Sequence, residues 1–343
     1  MTVSDSLRIR RPLARLATGA AVALLASALP TAAWASGVQP NSPGYCSSAQ
    51  NPQLAAQLSS DISGALASRT DTYAFTVADD TTGITCAFQA DQHFDSASVV
   101  KVIIMGAVLR RAEDQHRYLT DFEDSNMTQM ITASDNDAAT ALWNDLGMAQ
   151  LQSFLDLAGM HDTQLGQNGY WGLTQITAAD EMKALDVFVN QTVITPSAKA
   201  YALGQMSQVE ADQRWGTPFG APADVTVQVK NGWLPRATHG WRVHSLGIFT
   251  GTGKSYRMAV LTQDNAEESD GIDTIQAVAA VVHRDLNGGA ASTAAKRRAG
   301  VAPQAHPGGA APEAPGASAA PKGTGVSDGS APFGPVASGD SKG

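Results

Sequence analysis

The sequence lacks the patterns that mark several common enzyme classes. Between residues 51 and 286 it contains no G-x-S-x-G nucleophile turn, which argues against an α/β-hydrolase. The seven histidines do not pair at helical i, i+4 spacing, so we expect no metal site and no cofactor. The formal net charge of −9 at pH 7 argues against nucleic acid and anionic membranes as partners. From these absences we expect an acidic protein whose chemistry, if any, depends on its side chains rather than on a metal or a cofactor.

The beginning of the chain has the form of an export signal. Within residues 1–35, four arginines are followed by an apolar run and by Ala33-Trp34-Ala35, the small-x-small pattern that signal peptidase cuts. The apolar run, residues 16–29, is too short to span a bilayer as a helix; an N-terminal anchor that stays attached is the alternative. We therefore expect export by the Sec or twin-arginine route, a secreted or extracytoplasmic location, and no stable membrane insertion after cleavage.

The remaining chain divides into three parts by composition. Residues 36–50 form a short N-terminal segment before the first helical pattern. Residues 287–343 consist mostly of Ala, Gly, Pro and Ser, with few large apolar residues. Such a stretch cannot bury enough surface to offset its chain entropy, so we expect a disordered tail. Residues 51–286 are left as one folded domain, long enough for a substantial core.

The only two cysteines, Cys46 and Cys86, are an even pair in a chain with an export signal. In that setting a disulfide is the first expectation, and two unpaired thiols are the alternative. The bond would join the segment before the first helix to an early strand.

The pattern of apolar residues predicts strands at both ends of the domain and helices between them. Alternation around Tyr73 and Val77 and the run after Ile84 predict two strands, and three β-rich runs follow residue 225. Residues 97–208 are helical in pattern almost throughout. We expect a mixed α/β architecture of the α+β type, in which both strand groups form one antiparallel sheet flanked by helices. The inserted segment would form an all-helical lobe.

Ser98 and Lys101 stand at the start of a helix that is apolar on nearly every side. Such a helix is buried, so the amine of Lys101 must lie in a cavity or a polar cluster. Residues three apart share one helix face, and burial lowers the pKa of a lysine, so that the amine can take a proton from a serine hydroxyl. A serine that merely caps the helix is the alternative.

Two further motifs follow in the chain. Ser134-Asp135-Asn136 lies between two helical patterns, where an ordinary N-cap run is the alternative explanation. Lys230-Asn231-Gly232 closes a strand, where an Asn-Gly turn is the alternative. Together with Ser98 and Lys101, the set resembles the S-x-x-K, S-D-N and K-T-G signature of class A β-lactamases and penicillin-binding proteins. The resemblance covers residues 51–286.

The resemblance implies roles for the acyl-transfer residues. Ser98 would attack a carbonyl carbon to form an acyl-enzyme, while Lys101 and Ser134 would move the proton. The backbone N–H groups of Ser98 and Trp233, the residue after the third motif, would form the oxyanion hole. Asn136 would hydrogen-bond the substrate side chain, and Lys230 would direct positive charge toward Ser134 and a substrate carboxylate.

The sequence departs from the family pattern in its substrate-binding residues. Asn231 replaces the usual Thr or Ser of the third motif, beside Gly232, so a hydroxyl contact to the substrate carboxylate is lost, although an amide can still donate. Arg242 and His244 alternate on the next strand and share a face. Since similar enzymes place a carboxylate-binding arginine nearby, Arg242 is the candidate, with a solvated strand face as the alternative.

A second departure concerns the loop that carries the deacylating glutamate in relatives. Here residues 163–176 contain no Asp or Glu, and Asn168 cannot act as a base. The leading interpretation is therefore a serine hydrolase of β-lactams or related amides and esters that deacylates slowly. One alternative is a D-alanyl peptidase of the penicillin-binding-protein type, acting on peptidoglycan-derived peptides. Another is a binding protein that has lost turnover and captures acyl ligands or cell-wall fragments.

Overall fold

The strand-rich segments from both ends of the domain pair into one antiparallel sheet, as the sequence predicts. The structure is a computed structural model and describes residues 44–288. The order of the sheet is β1-β3-β2-β8-β7-β6. These strands are β1 (Cys46–Ser47), β2 (Thr72–Asp79), β3 (Ile84–Phe88), β6 (Thr226–Pro235), β7 (Trp241–Gly251) and β8 (Lys254–Asn265). Two short strands, β4 (Phe94–Asp95) and β5 (Gln175–Ile176), form a separate pair.

The described residues also form seven α-helices. They are α1 (Pro52–Leu66), α2 (Val100–Asp114), α3 (Asp121–Thr132), α4 (Asn136–Ala158), α5 (Ala178–Val189), α6 (Pro196–Ser207) and α7 (Glu268–Leu286). The first and last pack on each other and against the sheet, whereas α2 to α6 form the inserted helical lobe. This arrangement confirms the predicted α+β fold with its helical insertion.

Alternation along the central strands explains why the sheet is covered on both faces. On β8, Ala259 and Leu261 belong to the core shared with the helical lobe, and Met258 and Val260 belong to the core shared with α1 and α7. Successive side chains of a strand point to opposite faces of the sheet, so alternate residues of β8 pack into different cores. The sheet therefore lies between two helical layers.

The disulfide expected from the sequence is present. Cys46 pairs with Cys86 across β1 and β3, and the two sulfurs are bonded. The backbone N–H of Cys46 also donates to Ser59 Oγ of α1 at 2.9 Å. The bond thus ties the start of the domain to the sheet and to the first helix.

One strand continues further than the sequence indicated. The third motif was expected to close a strand, with an Asn-Gly turn as the alternative. Instead, Lys230, Asn231 and Gly232 lie in the middle of β6 and pair with Leu246, Ser245 and His244. The turn alternative is wrong, because the glycine serves a close backbone approach to Ser98 rather than a change of direction.

The predicted signal (1–35), most of the N-terminal segment (36–50) and nearly all of the tail (287–343) lie outside the described residues. Among residues 44–288, no helix has the length and apolarity needed to cross a bilayer.

Candidate active site

Ser98 lies in a single 3₁₀ turn, Ala97–Val99, immediately before α2. Ala97 has a φ of +47°, in the left-handed region that residues with a Cβ seldom adopt. The backbone N–H of Ser96 donates to the carbonyl of Thr174 at 2.9 Å, which anchors the turn to the end of the 163–176 loop. Backbone strain of this kind persists where the surrounding structure holds it and is concentrated at functional sites.

Lys101 lies one helical turn after Ser98 and is fully buried. Its Nζ donates to the carbonyl oxygen of Ser134 at 2.6 Å and to Asn136 Oδ1 at 2.9 Å, and it lies 3.1 Å from Ser134 Oγ. Ser134 precedes α4 with a φ of +56°, and Asp135 caps that helix by accepting from the N–H of Ala138 at 2.7 Å. The cap and the strained serine hold the second motif against the lysine.

Lys230 approaches the same serine from the sheet. Its Nζ donates to Ser134 Oγ at 2.9 Å and to the carbonyl of Asn231 at 2.7 Å, and the side chain is fully buried. The hydroxyl of Ser134 therefore lies between two amines, one from the helical lobe and one from β6.

Both amines have a lowered affinity for protons. Burial, together with the charge of Lys230, lowers the pKa of Lys101 well below its usual range, against the opposite effect of Asp135. Burial lowers the pKa of Lys230 to about 7. Lys101 Nζ thus has three oxygen partners from the second motif, namely the Ser134 carbonyl, Ser134 Oγ and Asn136 Oδ1.

Gly232 brings β6 against the start of α2. A Cβ at this position would lie 2.7 Å from the amide nitrogen of Ser98 and 2.8 Å from that of Val99, closer than any side chain allows. Trp233 follows directly, and its ring packs edge-on against Trp215 with a centroid separation of 5.9 Å and an interplanar angle of 62°. The strand backbone after the third motif thus runs beside the Ser98 amide.

The side chains of Asn231 and Arg242 are held in bonds within the protein. Asn231 Nδ2 donates to the carbonyl oxygens of Gln213 and Trp215 at 2.8 and 3.0 Å. Arg242 is buried and forms an ion pair of 2.9 Å with Asp95 Oδ2. His244, predicted to lie on the same strand face as Arg242, donates from Nε2 to the Asp95 carbonyl oxygen at 2.8 Å. The alternative of a solvated strand face is wrong.

Sequence reasoning assigned no role to Trp171, whose indole lies over Lys101 with Nζ 4.9 Å from the ring centroid. Its Nε1–H donates to Thr140 Oγ1 at 3.1 Å, which fixes the ring. The two residues are 70 positions apart, so no local spacing connects them. The same loop lines a cavity of about 1020 Å³ with Gln164 and Tyr170, and this cavity does not include Ser98.

A family model for the β-lactamase enzyme family (Beta-lactamase2) matches residues 57–122 and 125–286. The chain belongs to this family. Among curated proteins, the "Putative lipoprotein LppW" of Mycobacterium tuberculosis is 27% identical over 212 residues, which cover 60% of this chain and 67% of the relative. The same name and identity apply to the Mycobacterium bovis protein.

Solved structures of the β-lactamase family share the fold. A class A β-lactamase representative from Bacteroides cellulosilyticus superposes with a TM-score of 0.59 at 19% identity, covering 67% of this chain and 97% of that one. The β-lactamase of Sphaerobacter thermophilus gives 0.58 at 19% identity, covering 68% and 97%. An ancestral class A enzyme gives 0.57 at 21% identity, covering 66% and 98%. At these identities the likeness establishes the fold alone.

Proposed function

We propose that the protein is an exported serine hydrolase that forms an acyl-enzyme on Ser98 with β-lactams or related amides and esters. The main supporting observation is the placement of Ser134 Oγ, 3.1 Å from Lys101 Nζ and 2.9 Å from Lys230 Nζ. Lys101 in turn lies one helical turn after Ser98. Such an array can accept a proton, relay it and return it. Membership of the β-lactamase enzyme family supports the same class of chemistry.

Acylation begins with attack of Ser98 Oγ on the carbonyl carbon of the substrate. The proton of Ser98 passes to the neutral amine of Lys101, which shares its helix face. As the tetrahedral intermediate collapses, the bond to the leaving group breaks. The leaving nitrogen or oxygen takes a proton from Ser134, which Lys101 replenishes. Lys230 stabilises the electron density on Ser134 Oγ while that proton moves.

Two backbone N–H groups and Asn136 bind and polarise the substrate. The backbone N–H groups of Ser98 and Trp233 stabilise the oxyanion, which the close approach at Gly232 supports. Asn136 presents its amide to the substrate side chain while its Oδ1 accepts from Lys101.

Deacylation is slow because no acid of the 163–176 loop is available to activate water. General-base assistance is worth about 10²–10⁴-fold, so its loss lets the acyl-enzyme accumulate. This absence also favours the second candidate, a D-alanyl peptidase of the penicillin-binding-protein type. If the acyl-enzyme were not hydrolysed at all, the protein would act as a binding protein without turnover.

Export is part of the proposal. A disulfide between Cys46 and Cys86 is stable in an oxidising compartment. A relative whose name is that of a lipoprotein also fits an extracytoplasmic location. The small-molecule substrate would then be met outside the cytoplasm.

Intact mass spectrometry tests the proposal on the mature chain. Incubation with benzylpenicillin should give an adduct on Ser98 with the full mass of the ring-opened penicillin. The phenyl ester of phenylacetylglycine should, separately, give a phenylacetylglycyl adduct and one equivalent of released phenol. Slow turnover should follow in both cases. The Ser98→Ala protein is the control and should give neither adduct nor burst. Absence of an adduct from both reagents would refute acyl transfer, and steady turnover without an early adduct would refute slow deacylation.

A further inference from the structure

The groups expected to hold a substrate carboxylate are turned toward the protein itself. Asn231 occupies the position where relatives place a hydroxyl donor. An amide nitrogen carries two hydrogens, and those of Asn231 go to the carbonyls of Gln213 and Trp215. The remaining polar atom, Oδ1, is an acceptor and repels a carboxylate. Asn231 therefore stabilises the loop before β6 and has no donor left for a substrate anion.

Arg242 is committed in the same way. One terminal nitrogen holds Asp95 at 2.9 Å, and the other donates to the carbonyls of Thr238 and Gly240. Binding a substrate carboxylate would require breaking this buried ion pair and leaving Asp95 with Gln175 and the more distant Arg236, which is unfavourable. Arg236 approaches the same Asp95 carboxylate, with its Nε 3.8 Å from Oδ2.

Lys230 is the cation that remains in contact with Ser134 from the sheet side. Two of its hydrogens go to Ser134 Oγ and to the Asn231 carbonyl. Because burial lowers its pKa to about 7, it carries a full charge for only part of the time at neutral pH. Keeping a proton on this buried lysine costs free energy, and that cost reduces what a carboxylate would gain from binding to it.

We infer that the substrate of the Ser98 site is an ester or amide without a carboxylate beside the scissile bond, and that the site does not favour carboxylated analogues. This inference rests on the proposed function and narrows its substrate class. β-Lactams, which carry a carboxylate, would then react as poor analogues of a neutral substrate.

Two esters with one acyl group test the inference. The phenyl and 3-carboxyphenyl esters of phenylacetylglycine differ only in the carboxylate on the leaving group. We would measure kcat/KM for acylation from the release of the phenol, and divide by the rate of hydroxide-catalysed hydrolysis to remove intrinsic reactivity. The ratio of carboxylated to neutral ester should not exceed about 3, since a charge-assisted hydrogen bond would raise it about tenfold or more. A larger ratio overturns the inference.

Two variants show which residue sets the ratio. Asn231→Thr restores a hydroxyl and should raise the ratio about tenfold by accelerating the carboxylated ester. Arg236→Gln should change both esters equally, and a selective loss with the carboxylated ester would overturn the inference. If the Asn231 variant fails to fold, the inference is still tested by the ratio of the two esters in the parent and in the Arg236 variant.

The two proposals fail in distinguishable ways. Acylation that prefers the carboxylated ester contradicts the substrate class alone. If neither ester acylates Ser98 and a fluorophosphonate does not label it, the proposed function falls and the inference falls with it.

Discussion

The two edges of the sheet are completed in different ways. At one edge, β1 has two residues and is joined to β3 by the Cys46–Cys86 bond. At the other, β6 has ten residues, most of them buried. The start of α2 packs on the face of this strand at Gly232. One edge strand is held by a covalent bond, whereas the other contributes Lys230 to the candidate site.

The difference shows where stability and chemistry are placed. The disulfide edge restrains the unfolded chain and contains none of the predicted catalytic residues. The β6 edge brings Lys230 to within hydrogen-bonding distance of Ser134, beside a second buried amine on Lys101. Burying two amines around one hydroxyl is unfavourable for folding. This cost fits the proposed role of the two amines in proton transfer.

Of the changes considered, removing the amine of Lys101 should have the largest effect, a loss of acylation at the site beside β6. Lys101→Ala should slow acylation about 10²–10⁴-fold, because the proton acceptor for Ser98 is lost. Lys101→Arg should not restore the rate, because a guanidinium keeps its proton. Burst kinetics with the neutral phenyl ester would measure both.

Lys254→Ala is the matched control, since Lys254 begins β8 and pairs with Asp224. Its acylation rate should equal that of the parent. An arginine variant that acylates at the parent rate would mean that another group takes the proton.

Removing the disulfide should affect the other edge without affecting the chemistry. For a separation of 40 residues, the chain-entropy model gives a loss of about 4 kcal/mol in the free energy of unfolding for the Cys46→Ser/Cys86→Ser protein. Its acylation rate should stay within about twofold of the parent under folding conditions. Urea unfolding and burst kinetics on the same sample would test both. A parallel loss of acylation would show that the two edges are coupled.

The sequence predicted the elements of both edges but not all of their contacts. Alternation and helical spacing predicted the sheet and its helical insertion, and the three motifs indicated Ser98, Lys101, Ser134 and Lys230. The partners of Asn231 and Arg242 could not be predicted, because Asp95 lies 147 positions from Arg242 and side-chain direction depends on packing. The position of Trp171 over Lys101 has the same cause. Local patterns specify elements, whereas long-range packing decides what each polar group binds.

The smallest effect concerns how the charge at the β6 edge depends on pH. The pKa of Lys230 is about 7 in the folded protein and about 10.4 in an unfolded chain. Between these two pKa values the unfolded state binds more protons than the folded state. This lysine therefore makes the free energy of unfolding rise as the pH rises, and fall again as the pH returns toward 7. As the pH rises from 7 to 9, the free energy of unfolding of the parent should therefore increase relative to that of Lys230→Met. The increase should be up to about 1.4 kcal/mol per pH unit. Urea unfolding of both proteins at pH 7, 8 and 9 measures the difference. Parallel stability curves would mean that the Lys230 amine is hydrated, and that the β6 edge buries one amine at Ser134 rather than two.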